Sequence, residues 1–534
     1  DVQPEDLLPG DIRPAFGAPW IPAEDIEAFV GDLLDVPSYK SEGIKVTNIP
    51  QEGTWRINVR PGIRHLVENT ETWGSPGYPA HKLIETALNQ KLPTVYYAVE
   101  GNRRAVHMES TLAAREKQEQ IKERFRKWLW EDEERAERLS RKYNNDYNNI
   151  RVRTFDGSHL TLPGSGTAVT LQKHQKDAIW RIVQTGNTLL GHVVGAGKTY
   201  TMVGAGMEMK RIGLVKKPMY VVPNHMLDQF SREFLILYPS ARILVAGKEN
   251  FIGDRRRKFM AQIATGEWDA IILTHSSFGR LPVSPEFQTQ FIKKQIDEYA
   301  ALIVEAKDEN DRSLVKELEK AKKRKEEQLK RLAARERKDV SMWFEELGVD
   351  FMFIDEAHLF KNLDTPTKMG NLVGISTPSQ RAFDLLMKIK YLEQVNPNRA
   401  AAFATGTPIS NTLAEMHVMQ RYLQRPELEK RNLLHFDAWA AMFAETETAA
   451  EVGVDGRYKV KSRLSKFNNI QELMQVFREV ADIKTRDDLD LPTPELTNLE
   501  VSAPKSKDME RFMAELVKRV DAVLGGKVEP EEDN

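Results

Sequence analysis

The segment His192-Val193-Val194-Gly195-Ala196-Gly197-Lys198-Thr199 constrains this chain more than any other. It follows Thr188-Leu189-Leu190-Gly191, a short apolar run suited to a buried strand, and precedes Tyr200-Thr201-Met202-Val203, where a helical pattern begins. A glycine-rich turn between strand and helix that closes in Gly-Lys-Thr has the parts a phosphate group needs. Gly195 and Gly197, with Ala196 between them, let the backbone curl until successive N–H groups face one anion. The helix N-terminus adds its positive end, Lys198 a charge for the β- and γ-phosphates, and Thr199 a hydroxyl for magnesium. One position departs from the usual spacing: His192 stands where the first glycine of such a loop is expected, with Gly191 one place early. The competing reading is a chance glycine-rich turn, and the rest of the chain decides between them.

At 534 residues the chain has room for roughly three domains. A hydrophobic content of 41% and a charged content of 29% describe a globular protein. No apolar run approaches the ~18 residues of a membrane span. The absence of cysteine excludes disulfides, thiolate zinc sites and a cysteine nucleophile, and fits a reducing cytoplasm without requiring one. A formal charge of −2 argues against a globally basic coat for nucleic acid but leaves local basic surfaces open. The chain opens on Asp1, carries no secretory signal pattern and ends in Glu531-Glu532-Asp533-Asn534, so it reads as part of a longer polypeptide.

Residues 1–107 read as a small α+β domain: a helix over Ala23 to Leu34, a strand at Trp55 to Val59, a helix from Lys82 to Leu88 and a strand at Val95 to Val99. They hold no catalytic constellation. Residues 108–166 read as a charged linker helix and turn region. Phe125, Trp128 and Leu129 share one helical face there, and Trp128 and Trp130 could stack on a cofactor. Packing against a neighbour is the plainer account of such a stripe. Tyr143 to Asn149 reads as the turn-rich end of this helix.

Residues 167–424 alternate strands with helices. Gln175 opens a helix just before the phosphate loop, where its amide, donor and acceptor at once, suits adenine. Pro218 to Pro223 is a strand ending at Asn224-His225; Arg242 to Ala246 and Trp268 to His275 are further strands. Such alternation predicts a parallel sheet with helices on both faces, whose ligands gather at the strands' C-terminal ends. A stretch at about 286–340 interrupts it with a helical hairpin, turning near Lys307 to Asp311, with Glu319/Lys323, Glu326/Lys330 and Glu327/Arg331 at i,i+4 spacing. Its interleaved acids favour a solvated hairpin over a basic DNA arm.

Asp350 to Ile354 then runs into Asp355-Glu356-Ala357-His358. A buried strand that delivers two carboxylates downstream of a phosphate loop is the second half of an ATPase. Asp355 is the candidate magnesium holder and Glu356 the candidate general base for the attacking water. Ala400 to Ala404 ends in Thr405-Gly406-Thr407-Pro408-Ile409-Ser410-Asn411, whose hydroxyls can hydrogen-bond His358 and report the nucleotide state. Residues 425–534 read as a mostly helical extension broken at Gly453 to Gly456 and Leu491 to Pro494.

These motifs, in this order, resemble the first motor lobe of a superfamily-two helicase. Lys361-Asn362 and Pro408-Ile409-Ser410-Asn411 look like its Swi/Snf branch, whose members translocate along double-stranded DNA. The flanks, including Trp128-Leu129-Trp130, Asp156 to Leu160 and Glu346 to Asp350, are similar to large phage and mobile-element proteins that fuse an adenine-DNA methyltransferase to a Snf-like helicase, antirestriction proteins among them. The resemblance implies a RecA-like lobe, ATP and Mg2+ as cofactors, and double-stranded DNA as partner. It implies DNA contacts near Pro223, Asn224, Thr274 and His275. It also implies a second RecA-like lobe and a DNA methyltransferase domain in the same full-length polypeptide, neither legible here. The setting implied is the cytoplasm of a bacterial cell, phage-encoded or packaged in a virion. A chain without the second lobe is expected to fold, to bind ATP weakly and to hydrolyse it poorly. The alternative is a non-motor nucleotide-responsive scaffold or DNA-docking module; intact Lys198, Asp355 and Glu356 argue against it.

Overall fold

The computed structural model describes residues 4–37, 43–50, 52–99, 103–149, 151–308, 312–334, 342–365, 367, 369, 378–409, 412–452, 458–489, 499 and 506–524. The expected features at Asp1, Glu309 to Asp311, Ser410-Asn411, Gly453 to Gly456, Leu491 to Pro494 and Glu531 to Asn534 lie outside them.

The N-terminal part holds a two-stranded antiparallel pair, β1 (Ile44–Ile49) and β2 (Thr54–Val59), and a second pair, β3 (Tyr96–Val99) and β4 (Arg103–Val106). The helices Ala23–Leu33 and Ala80–Leu88 cover the first pair. The charged segment that follows is two helices, Met108–Trp128 and Glu133–Tyr147. Asp132 caps the start of the second, its carboxylate accepting the Arg135 amide at 2.8 Å. The second helix runs through Tyr147, where the sequence reading places a turn. Tertiary contacts override the turn-forming asparagines: Tyr143 and Tyr147 are buried, and Asn144 exchanges hydrogen bonds with the backbone of Leu7 at 2.8 and 2.9 Å. Trp128 is 5% exposed, 5.4 Å from Phe29 and capped by the Arg135 guanidinium at 3.6 Å, so its face is spent on packing.

The larger part is built on a seven-stranded sheet, β5 (Thr188–His192), β6 (Pro218–Val222), β7 (Ile243–Ala246), β8 (Ala270–Thr274), β9 (Phe351–Asp355), β10 (Ala401–Ala404) and β13 (Ala481–Lys484). Their order is β13-β5-β10-β9-β6-β8-β7 and every neighbouring pair is parallel. A parallel sheet covered on both faces needs strands that are apolar throughout, and β5, β6, β8 and β9 are buried at every residue. Alternate residues divide between two cores. Leu189, Met219, Val221, Met352, Ile354 and Phe403 join one, with the helices Gln380–Val395 and Ala414–Leu423 and the N-terminal part. Leu190, Tyr220, Val222, Phe351, Phe353 and Ala404 join the other, under the helices Lys173–Thr185, Lys198–Arg211 and Leu227–Leu237. The lobe is therefore an α/β RecA-like parallel sheet with helices on both faces.

The hairpin insertion is the helix pair Pro285–Asp308 and Arg312–Ala334, sharing a small core of Ile303 and Leu318 with Ile49. The C-terminal extension departs from its mostly helical expectation. Besides the helices Phe436–Phe443, Ile470–Arg478 and Lys507–Leu524 it contains an antiparallel hairpin, β11 (Ala444–Val452) and β12 (Tyr458–Phe467), and it returns to the lobe as β13. No helix among the described residues is long and apolar enough to cross a membrane.

Candidate functional site

The strand order brings the C-terminal ends of β5, β10 and β9 side by side, and the chain exits from them carry the chemistry. Gly195 (φ 92°) and Gly197 (φ 73°) both take left-handed backbone between β5 and the helix Lys198–Arg211. Gly195 has open space around it, so conformation alone requires glycine. A Cβ at Gly197 would lie 2.2 Å from Nε2 of Gln175. Gln175 is 5% exposed and its amide is fully engaged: Oε1 accepts from the Gln172 amide at 2.8 Å, and Nε2 donates to the Gly197 carbonyl at 3.1 Å. His174 Nε2 lies 2.9 Å from the Ala196 carbonyl. Gln175 thus holds the loop, a role its position alone does not announce.

Lys198 curls back on its own loop, Nζ donating to the carbonyls of His192 at 3.0 Å and Val193 at 3.4 Å. Burial pulls its pKa down while the charges of Glu356 and Asp355 pull it up, which places lysine and carboxylates in one electrostatic neighbourhood. Thr199 follows in the same first turn, half-buried.

Asp355 closes β9, 7% exposed, and its Oδ1 accepts the Glu356 amide at 3.0 Å. Burial first, and then the Glu356 charge, push its carboxyl up to about 6. Glu356 has left-handed backbone (φ 48°), a conformation that costs a non-glycine residue roughly 1 kcal/mol or more and recurs at functional turns. From there a polar chain crosses to β10. His358 Nδ1 is 3.1 Å from Glu356 Oε2 and 3.1 Å from Thr405 Oγ1, and Thr405 Oγ1 accepts the Thr407 amide at 3.1 Å. The turn at Gly406 rests on the glycine-rich loop after β5; a Cβ there would be 3.0 Å from Val194 Cγ2. Lys361 reaches Glu415 at 2.8 Å.

The loops after β6 and β8 also meet. Pro223 is buried, while Asn224 is exposed, its Oδ1 accepting from Ser276 Oγ at 3.0 Å. Thr274 and His275 are 3% and 5% exposed. Thr274 Oγ1 accepts the Ser277 amide at 3.2 Å, and His275 Nε2 is 2.9 Å from the Asp355 carbonyl. Both side chains therefore brace the fold, and of the four candidate DNA contacts only Asn224 presents its side chain to solvent.

Sequence reasoning missed Asp482. It lies on β13 with Oδ2 2.8 Å from Nε2 of the fully buried His192. Burial alone would raise its carboxyl; the His192 hydrogen bond and the charges of His192, Arg181 and Lys484 outweigh this and hold it below the usual range. The departure at His192 was the one available signal, and nothing local pointed to its partner.

The sequence pattern of a family described as a probable helicase domain matches residues 180–485, which spans both the Gly195–Lys198 turn and Asp355 to His358. The chain belongs to this helicase-domain family. Residues 15–149 match a second family, described as a domain of unknown function. The helicase-domain chain is 21% identical over 460 residues to the defense against restriction protein B of Escherichia phage P1, covering 76% of this chain and 20% of that protein. It thus spans about a fifth of the length of the curated relative it matches. A solved Sulfolobus solfataricus SWI2/SNF2 ATPase core in complex with double-stranded DNA aligns over 64% of this chain and 47% of that one, with 14% identity and a TM-score of 0.33.

Proposed function

We propose that this chain is the ATP-binding motor lobe of a DNA-dependent ATPase, a helicase-like translocase on double-stranded DNA, working in a longer phage or mobile-element polypeptide concerned with DNA modification or antirestriction. The observation that carries the reading is that the adjacent parallel strands β5, β10 and β9 end side by side in the Gly195–Lys198 turn, in Thr405 and in Asp355-Glu356. Lys198 exchanges the His192 and Val193 carbonyls for the β- and γ-phosphates of ATP, which enter the curled backbone of Gly195 to Thr199. Glu356 accepts a proton from the attacking water. His358, Thr405 and Thr407 carry the change at Glu356 to β10.

A divalent cation fits this donor set, because burial and the neighbouring Glu356 carboxylate disfavour the charge on Asp355 and a cation would relieve it. Asp355 and the Thr199 hydroxyl would hold it, and it would neutralise charge on the phosphates. DNA is held through phosphates, independent of base sequence and weakened by salt. The phage P1 relative, by its name, supports the antirestriction setting.

The reading is tested by steady-state ATP hydrolysis in the full-length parent, with and without duplex DNA. Turnover that rises with DNA and vanishes in Lys198→Ala supports it. Turnover unaffected by DNA favours the scaffold alternative.

A further inference from the structure

β13 is the outermost strand of the sheet, yet it is tied to the phosphate loop by more than its ladder. Asp482 pairs with Leu190 and Lys484 with His192, and the ladder continues into the loop through the Val193 amide, 3.0 Å from the Lys484 carbonyl. The Asp482 carboxylate then takes the His192 imidazole at 2.8 Å. A carboxylate only accepts, so Nε2 carries the proton, and Nδ1 is buried with no partner among the described residues. Arg181 approaches the other carboxylate oxygen at 4.0 Å. It sits on the helix Lys173–Thr185 that presents Gln175 to the loop. The His192 carbonyl, in turn, is the one that holds Lys198 at 3.0 Å.

Packing alone does not need this arrangement. An apolar pair of similar volume would fill the space between β5 and β13 without desolvating a carboxylate and an imidazole. What the polar pair adds is direction: it fixes the ring, and with the ring the last strand residue before the loop. We infer that Asp482 is a positioning residue for the nucleotide site, acting through His192 on where Lys198 waits. This rests on the ATP-site reading above. Coupling of this kind is reciprocal, so nucleotide binding also tightens β13. The strand links the helix Ile470–Arg478 to the chain that follows it, so motion there reaches the phosphate loop as a pull on Asp482.

The experiment compares Asp482→Ala, Asp482→Asn and His192→Phe with the unaltered chain and with Lys198→Ala. It measures affinity for a fluorescent ATP analogue and for ADP, amide hydrogen exchange at residues 481–484, and the melting transition. Asp482→Asn keeps an acceptor and is expected to bind within about threefold of the unaltered chain. Asp482→Ala and His192→Phe are each expected to weaken ATP binding about tenfold, the scale of one charge-assisted hydrogen bond. ADP, without the γ-phosphate, should lose less, and the double variant should be no worse than either single one. Saturating nucleotide should slow exchange at 481–484 in the unaltered chain and not in these variants. If Asp482→Ala does not fold, His192→Phe carries the same test. Variants that melt cooperatively, bind both nucleotides normally and show the normal slowing overturn the inference while leaving the ATP site standing. An unaltered chain that does not bind ATP, with Lys198→Ala indistinguishable from it, overturns both.

Discussion

The His275 imidazole donates to the backbone oxygen of Asp355 at 2.9 Å, reaching from the end of β8 to the end of β9 past the intervening β6. The loop after one strand therefore sets the height of the carboxylate on another. The bond itself would suit a charged ring as well; what keeps the ring neutral is burial, helped by Arg381 and His358.

Burial, with those two charges, pulls the His275 pKa down to about 4, from 6.5. The unfolded chain then binds a proton that the folded chain refuses, so this contribution to stability is complete above pH 6.5 and is lost as pH falls toward 4. Urea unfolding at pH 7 and pH 5 should differ by about 2 kcal/mol from this group alone. His275→Gln, which still donates, should remove that part of the difference; an unchanged difference would show that the histidine is not held neutral.

Asp355 has the opposite sign. Its folded pKa of about 6 lies above the ordinary 3.8, so the folded state binds the proton more tightly. Stability from this group falls as pH rises from 3.8 to 6, and the full penalty persists above 6. Asp355→Asn should therefore stabilise the nucleotide-free chain at pH 7.5, by on the order of 2 kcal/mol, while abolishing hydrolysis. Magnesium with nucleotide should narrow the gap in melting temperature. A destabilised Asp355→Asn chain would contradict the electrostatics described for the site.

How much of this was legible in the sequence follows from how locally each feature is determined. The strands that end in Lys198's loop, in Asp355 and in Thr405 are continuous apolar runs, and their parallel direction follows from the alternation of strand and helix. β13 is four residues, Ala481 to Lys484, only two of them apolar, and becomes a strand through pairing with β5. Asp482 and His192 are 290 residues apart, and no local periodicity reports such a contact. β11 misled for a related reason: Ala444 to Val452 is rich in alanine and glutamate, and its partner strand makes it extended. Thr274 and His275 are DNA-contact candidates by resemblance alone, and their burial at 3% and 5% exposure depends on packing that no local pattern reports.

The two loop glycines should separate cleanly under substitution. Gly195→Ala meets no neighbour within 4 Å and pays only for left-handed backbone, about 1 kcal/mol. Gly197→Ala carries the same strain and also strikes Gln175 Nε2, displacing the residue that holds the loop. Nucleotide affinity, measured by titration calorimetry, should fall much further in Gly197→Ala than in Gly195→Ala. Equal losses would mean that the Gln175 contact does not shape the site.

Thr405→Val keeps the volume of a fully buried side chain and removes the oxygen shared by His358 and the Thr407 amide. Thr407 is exposed and its amide can turn to water, so the cost in stability should be only about 0.5–1.5 kcal/mol. ATP affinity should stay near normal while turnover falls, because the chain from Glu356 to β10 is cut. A variant that turns over normally would remove His358 and Thr405 from the coupling path.

The most direct measurement of the central claim is the separation of ATP binding from ATP hydrolysis in two variants of the full-length parent. Lys198→Ala should lose both, because the positive charge for the β- and γ-phosphates is gone. Glu356→Gln should bind ATP as tightly as the unaltered protein and lose hydrolysis by a factor of about 10² or more, since only the base is neutralised. Normal turnover in Lys198→Ala, or loss of ATP binding in Glu356→Gln, would contradict the account.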